Sequence, residues 1–181
     1  MKEHIGVVPL GEEVPALALE VIAANITEYY KWPADILPLE PVPESAFDEV
    51  RMKYNAGILI NMLDALDFGG YSKIVAVISR DMFIPIFNYV FGQAVQGGHL
   101  ALISLYRLNR NADGSTPSTS LIFERAAKLA LHELGHLFNL FHCNETKCIM
   151  HFSGVIEDLN TIPFYLCRDC ARRLPRSPDF S

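Results

Sequence analysis

Three histidines, at positions 132, 136 and 142, constrain this chain more than any other feature. Residues four apart share one face of an α-helix, so His132 and His136 in His132-Glu133-Leu134-Gly135-His136 can offer two imidazoles to one metal ion. Glu133 lies about 100° round the helix from His132, within reach of water at that metal. His142 can join only if the helix stops, because six further helical residues would turn it about 240° away from His136. Asn139 offers the stop: after Gly, Asn most readily takes the left-handed conformation that ends a helix. The bland alternative is a solvated helix face with an i,i+4 pair, and a turn-former placed between two of the histidines weighs against it.

The cysteines form a second pattern. Cys143-x4-Cys148 and Cys167-x2-Cys170 are two chelating pairs, the arrangement that closes a tetrahedral thiolate site with no open position. Such a zinc would be structural, and two disulfides or buried free thiols are the alternatives. No leader is visible in Met1-Lys2-Glu3-His4 and the short apolar run interrupted by Pro9, and no apolar run of about 18 residues could span a bilayer. The expected location is therefore the cytoplasm, where thiolate ligands are favoured over disulfides.

Read together, His132-Glu133-x-x-His136-x-x-Asn139-x-x-His142-Cys143-x4-Cys148-x-Met150 and Cys167-x-x-Cys170 resemble the archaemetzincin signature within the metzincin clan of zinc peptidases. Metzincins normally carry Gly where this chain has Asn139. The resemblance implies a zincin-like fold and a zinc-dependent metallopeptidase with two zinc ions per chain. His132, His136 and His142 would hold the catalytic zinc, Glu133 would be the general base, and Cys143, Cys148, Cys167 and Cys170 would hold the structural one. Met150 would be the Met-turn residue, an apolar floor beneath the metal; ordinary core packing is its alternative. Asp81-Met82-Phe83 and Asn88–Ala94 also resemble the segment preceding the zinc helix in this family. On that likeness Gly92, Gln93, Ala94 and Val95 would form an edge strand that receives peptide substrate by strand addition. An ordinary edge strand with glycine bulges is the other reading. His151, His4 and His99 are expected as surface or satisfied histidines.

At 181 residues the simplest organisation is one domain, with an upper part over about residues 1–138 and a lower, zinc-stapled part over about 139–181. Half the residues are hydrophobic and the net charge is −6, which suits a globular protein and argues against nucleic acid or an anionic membrane as partner. Oligomeric state is open, with a monomer the simplest reading.

Along the chain, Ile5–Leu10 reads as a buried strand. A helix opens with Glu12, Glu13 and Pro15 in or near its first turn and runs to about Tyr30. A short strand is expected over Ile36–Leu39, and Ser45 with Asp48 suggests a capping box and another helix. Asn55–Leu66 has helical periodicity, Gly69-Gly70 closes it, and Lys73–Ser79 is a β-branched run suited to a central strand. Strand–helix alternation implies a mostly parallel, twisted sheet. Tyr89–Val95 and Leu100–Tyr106 read as a hairpin across Gly97-Gly98, which adds an antiparallel edge strand. Asn111–Ser120 is a loop, with Thr119 or Ser120 as cap of an amphipathic active-site helix. Phe123, Ala127, Ala130, Leu134 and Phe138 would face the sheet, opposite the histidines. Arg172–Pro178 reads as a solvated tail. The fold class is thus mixed α/β. A zinc-stabilised peptide-binding module with weak or no turnover is the rival function, and two purely structural metals are a third possibility.

Overall fold

The computed structural model describes residues 2–152 and 154–175. Its elements in chain order are β1 (Lys2–Leu10), α1 (Ala16–Tyr30), β2 (Ala34–Ile36), β3 (Phe47–Asp48), β4 (Lys53–Asn55), α2 (Ala56–Asp64), β5 (Tyr71–Ile78), β6 (Met82–Ile84), β7 (Phe87–Val90), β8 (Gly92–Ala94), β9 (Leu100–Ser104), α3 (Thr119–Leu137), α4 (Asp158–Thr161) and α5 (Arg168–Ala171). The main sheet has the order β2-β1-β5-β9-β8. Its first four strands are parallel, and β8 closes the edge antiparallel to β9.

Period-two alternation divides the core between the two faces of this sheet. Ile5, Val7, Val75, Val77, Ala101 and Ile103 point to the side covered by α1 and α3. Val8, Leu10, Ile74, Ala76, Leu100 and Leu102 point to the side covered by α2. Strands buried on both faces read as continuous apolar runs, as β5 does. The expected mixed α/β fold, mostly parallel with an antiparallel edge strand, is the one observed.

Several boundaries differ from expectation. Glu12 and Glu13 precede α1, which follows Pro15, and Glu13 pairs instead with Arg80 beyond β5. The helix expected at Ser45 is only a single 3-10 turn, Glu44–Ala46. The Asp48 carboxylate accepts the N–H groups of Val50 and Arg51, at 3.0 and 2.8 Å, and so builds the turn between β3 and β4. Asp and Ser serve turns and helix caps by the same local hydrogen bonds, so the residue types alone do not separate the two outcomes. The run Tyr89–Val95 is two strands. Val90 pairs with Met82 in a second sheet of order β3-β4-β6-β7, whereas Gly92 pairs with Ile103 in the main sheet. Buried Phe91 is the bend between them.

Asn55 caps α2 by accepting the N–H groups of Gly57 and Ile58. Ser118, one residue ahead of the expected position, caps α3 through Leu121 N–H at 3.3 Å. The expected amphipathic split of α3 is also corrected, since it is buried on nearly every side from Arg125 to Gly135. Beyond it the chain folds back over α1 and α3. Tyr29 stacks on Phe164 with ring centres 5.3 Å apart, and Lys128 Nζ donates to Leu159 O at 2.9 Å. Arg176, Ser177 and Pro178 of the expected tail lie outside the described residues.

Candidate metal centre

The last turn of α3 and the reversal after it build the site. Phe138 ends the helix, Asn139 takes φ +63°, and Leu140 N–H returns to Gly135 O at 2.9 Å while Asn139 N–H bonds His136 O at 2.9 Å. This pair of bonds is the Schellman closure, with Asn in the position usually held by Gly. The β8–β9 hairpin clamps it from outside. Gly97 N–H donates to His136 O at 2.8 Å, and Gln96 Nε2 donates to Leu140 O at 3.1 Å. The chain then brings His142 back over the helix, with its ring centre 5.2 Å from that of His132 and 5.0 Å from that of His136.

The hydrogen bonds of the two helical histidines fix what they offer. His132 Nδ1 lies 2.9 Å from Ile149 O and His136 Nδ1 lies 2.8 Å from Leu140 O. A carbonyl can only accept, so each Nδ1 carries the proton and each Nε2 is left with a lone pair. Those two Nε2 atoms lie 3.1 Å apart. Two lone pairs at that distance repel unless a cation sits between them. Two nitrogens on a tetrahedral zinc would be about 3.3 Å apart, given Zn–N near 2.0–2.1 Å. The donor set therefore fits zinc, with carbonyl acceptors orienting both rings from behind. Burial holds the His132 pKa down to about 3 and lowers that of His136, which keeps both rings in the neutral, metal-binding form.

Glu133, only 6 % exposed, projects into the same cleft. Burial pushes its carboxyl up to about 8. The carboxylate lies against β8, and a Cβ on Gly92 would stand 2.5 Å from Glu133 Oε1, so the missing side chain is what makes room for it. The cleft encloses about 610 Å³ and is lined by the three histidines, Glu133, β7, Phe91, Phe152, and Gly92, Gln93, Ala94 and Gln96. Val95 falls in the turn after β8, its N–H bonded to Leu100 O, and does not line the cleft. Met150 is fully buried against Gly135, in the turn whose carbonyl accepts Cys143 N–H at 2.8 Å.

Four thiols gather next to this site. The sulfurs of Cys143, Cys148, Cys167 and Cys170 lie within 4.8 Å of one another, and none is in a disulfide. The Cys143–Cys167 separation of 3.8 Å equals the edge of a tetrahedron with zinc–sulfur distances of about 2.3 Å. Backbone N–H groups of Glu145 and Cys167 point at the sulfurs of Cys143 and Cys148, as suits thiolates. The remaining histidines stand apart. His151 bonds Cys143 O, His4 pairs with Asp35 and His99 with Asp64.

Some contributors left no mark in the sequence. The orienting carbonyls of Ile149 and Leu140 carry no side-chain signal, and Tyr30, whose hydroxyl donates to Leu131 O at 2.7 Å, reads as one more apolar helix residue. Gln96 could have been found only from its place in the hairpin expected to border the motif.

Residues 13–176 match the sequence profile of peptidase family M54. The archaemetzincin of Pyrococcus furiosus is 37% identical over 181 residues, covering 96% of this chain and 93% of the relative. That of Natronomonas pharaonis is 32% identical, covering 94% and 99%. The crystal structure of the Archaeoglobus fulgidus archaemetzincin, complexed with malonate, superposes with a TM-score of 0.81 at 30% identity, covering 94% of this chain and 99% of the other. The Methanopyrus kandleri archaemetzincin gives 0.80 at 29%, covering 94% and 93%. With this fold, a histidine cluster and a cysteine cluster each able to bind metal, the chain belongs to peptidase family M54, the archaemetzincins, and is a zinc metallopeptidase.

Proposed function

We propose that His132, His136 and His142 hold the catalytic zinc, that Glu133 is the general base, and that the four cysteines hold a second, structural zinc. The observation that carries this reading is the pair of Nε2 lone pairs facing each other at 3.1 Å beside a buried carboxylate. Zinc in such a three-histidine set supplies Lewis acidity to the scissile carbonyl and to the attacking water. Glu133 accepts the proton of that water on a carboxylate oxygen and delivers it to the leaving amine nitrogen. Burial raises its proton affinity, which suits holding the proton between the two transfers, and a cation held by the histidines would favour its ionised form. Met150 packs under the helix at Gly135 and keeps that floor apolar.

Substrate enters as an extended peptide laid along the free edge of β8, where the Gly92 and Ala94 backbone can pair with it. Residues of about 1–138 supply sheet, edge strand and helix, and those from 139 onward supply the third histidine and the thiolate site. Four unpaired thiols suit a reducing compartment, so a cytoplasmic location is part of the proposal. No helix among the described residues is long and apolar enough to cross a membrane.

The test is a peptide-library digest with zinc-loaded wild type, Glu133→Gln and a chelator control. Wild type should cleave, chelation should abolish cleavage, and Glu133→Gln should keep its zinc while losing on the order of 10²–10⁴ in rate. Zinc-loaded wild type that cleaves nothing would leave a peptide-binding module in place of this mechanism.

A further inference from the structure

The cleft continues past the metal centre along a line of aromatic rings. Phe152 stands edge-on to His132 with ring centres 5.4 Å apart, Phe91 meets Phe152 at 5.8 Å, and Tyr89 meets Phe91 at 5.7 Å. Phe87 lies two residues before Tyr89 on the same face of β7 and also lines the cleft. These last two rings are 57 % and 40 % exposed. Two large rings left in water on a strand that lines a cleft are surface waiting to be covered.

The strand beneath them is held rigidly from behind. Arg107 makes a bidentate pair with Asp81, Nε to Oδ1 at 2.7 Å and Nη2 to Oδ2 at 2.8 Å, and its guanidinium carbon lies 4.0 Å from the centre of the Tyr89 ring. Lys53 Nζ donates to Asn88 O at 2.8 Å and lies 3.7 Å from the same Asp81. A planar fork locked on a carboxylate and stacked on an aromatic ring fixes that ring at little entropic cost. Among the described residues, no ionisable side chain lines the cleft apart from Glu133, the three histidines and the Tyr89 phenol.

Orientation follows from the edge strand. β8 runs from Gly92, beside Glu133, to Ala94, and then to Gln96 beside Leu140. A peptide paired antiparallel to it, as β9 is on the other edge, would run the other way, so residues after the cleaved bond would pass Gly92 and reach Tyr89 and Phe87. We propose that Phe87 and Tyr89 form the specificity wall of the cleft, selecting peptides with an aromatic or large aliphatic side chain on the carboxyl side of the cleaved bond. Arg107, anchored on Asp81, is the positioning residue for Tyr89.

This inference rests on the peptide-cleft reading above, and its test has two arms so that the two can fail separately. In the first, zinc-loaded protein digests peptides differing only in the first three residues after the cleaved bond. Phe, Tyr, Leu or Ile there should exceed Ser, Asp or Lys by about 10- to 200-fold in kcat/KM, the range a single apolar pocket supplies. Tyr89→Ala should bring that ratio toward unity and Tyr89→Phe should keep it. Arg107→Met should raise KM for the aromatic peptides more than it lowers kcat, and Arg107→Lys should recover only part of the loss. If circular dichroism shows Tyr89→Ala unfolded, Phe87→Ala, at a more exposed ring, takes its place. In the second arm, labelled peptides of the same set are titrated onto zinc-loaded Glu133→Gln, which reads the wall without turnover. Equal affinity for apolar and charged peptides in that arm, or an unchanged ratio in a folded Tyr89→Ala, overturns the proposal even if wild type cleaves. Preferential binding of apolar peptides sustains it even if wild type does not.

Discussion

Gly135 shows how one residue's surroundings reverse a general rule. In a helix interior Gly costs about 1 kcal/mol relative to Ala, so Gly→Ala is ordinarily stabilising. Here a Cβ would stand 2.9 Å from the Tyr30 hydroxyl and run into Met150 Sδ, and both side chains are buried. Tyr30 cannot swing away without giving up its bond to Leu131 O. Gly135→Ala should therefore destabilise the protein by about 1–3 kcal/mol, the usual cost of overpacking. Chemical denaturation measures this directly, and a gain in stability would show that Met150 yields freely. Gly92 sits under a different constraint. Its Cβ would meet three atoms of Glu133 at 2.5–2.8 Å, so Gly92→Ala has to move the carboxylate. Zinc content should stay the same while kcat falls by on the order of 10²-fold, the effect of an ångström's misplacement. Wild-type kcat in that variant would detach Glu133 from its inferred role.

At the scale of elements, the reversal after α3 was legible because its residues are tied to a spacing. A third histidine six residues past a helical pair demands a stop, and Asn139 is the residue type that provides one. Asn139→Gly should then be nearly neutral. It relieves the left-handed backbone of its Cβ but gives up the exposed bond from Gln96 at 3.3 Å. Asn139→Ala should cost about 1–2 kcal/mol and weaken zinc binding, since Ala pays the full left-handed penalty in the turn that delivers His142. Thermal melts and zinc competition on the two variants decide this, and an Ala variant as stable as Gly would refute it. The parallel strands were legible too, because β1 and β5 are buried on both faces and advertise themselves as apolar runs. The second sheet was not. Its strands have two to four residues, too few for any period to show, and the aromatic run through Phe91 gives no hint that pairing partners change there. The burial of α3 on nearly every side was not legible for another reason. Helical periodicity locates the face that meets the sheet, but says nothing of a C-terminal segment that returns to cover the opposite one.

Across the whole molecule, the two metal-binding clusters share one scaffold. Ile149, whose carbonyl orients His132, lies between Cys148 and Met150 in the chain. Its own N–H donates to Tyr165 O at 2.9 Å, two residues before Cys167. Cys143, which follows His142 directly, is held by Met150 O. The backbone that presents thiols to one site therefore presents a histidine and an orienting carbonyl to the other. On the two-zinc proposal, losing the thiolate metal should loosen both, because formation of such a site is coupled to local folding. Cys167→Ser should bind about one equivalent of zinc fewer, melt at lower temperature, and hold the remaining zinc about 10–100-fold more weakly, the typical cost of disturbing groups that orient metal ligands. Coupling of this kind is reciprocal, so disrupting the helical pair with His136→Ala should also weaken zinc at the cysteines. That site, with four thiolates and no open position, should nevertheless remain filled. Competition titrations with a zinc chelator on wild type, Cys167→Ser and His136→Ala give both affinities. If Cys167→Ser loses its equivalent while the histidine site keeps wild-type affinity, the two centres are independent, and the contacts through Ile149 and His142–Cys143 carry no energy between them.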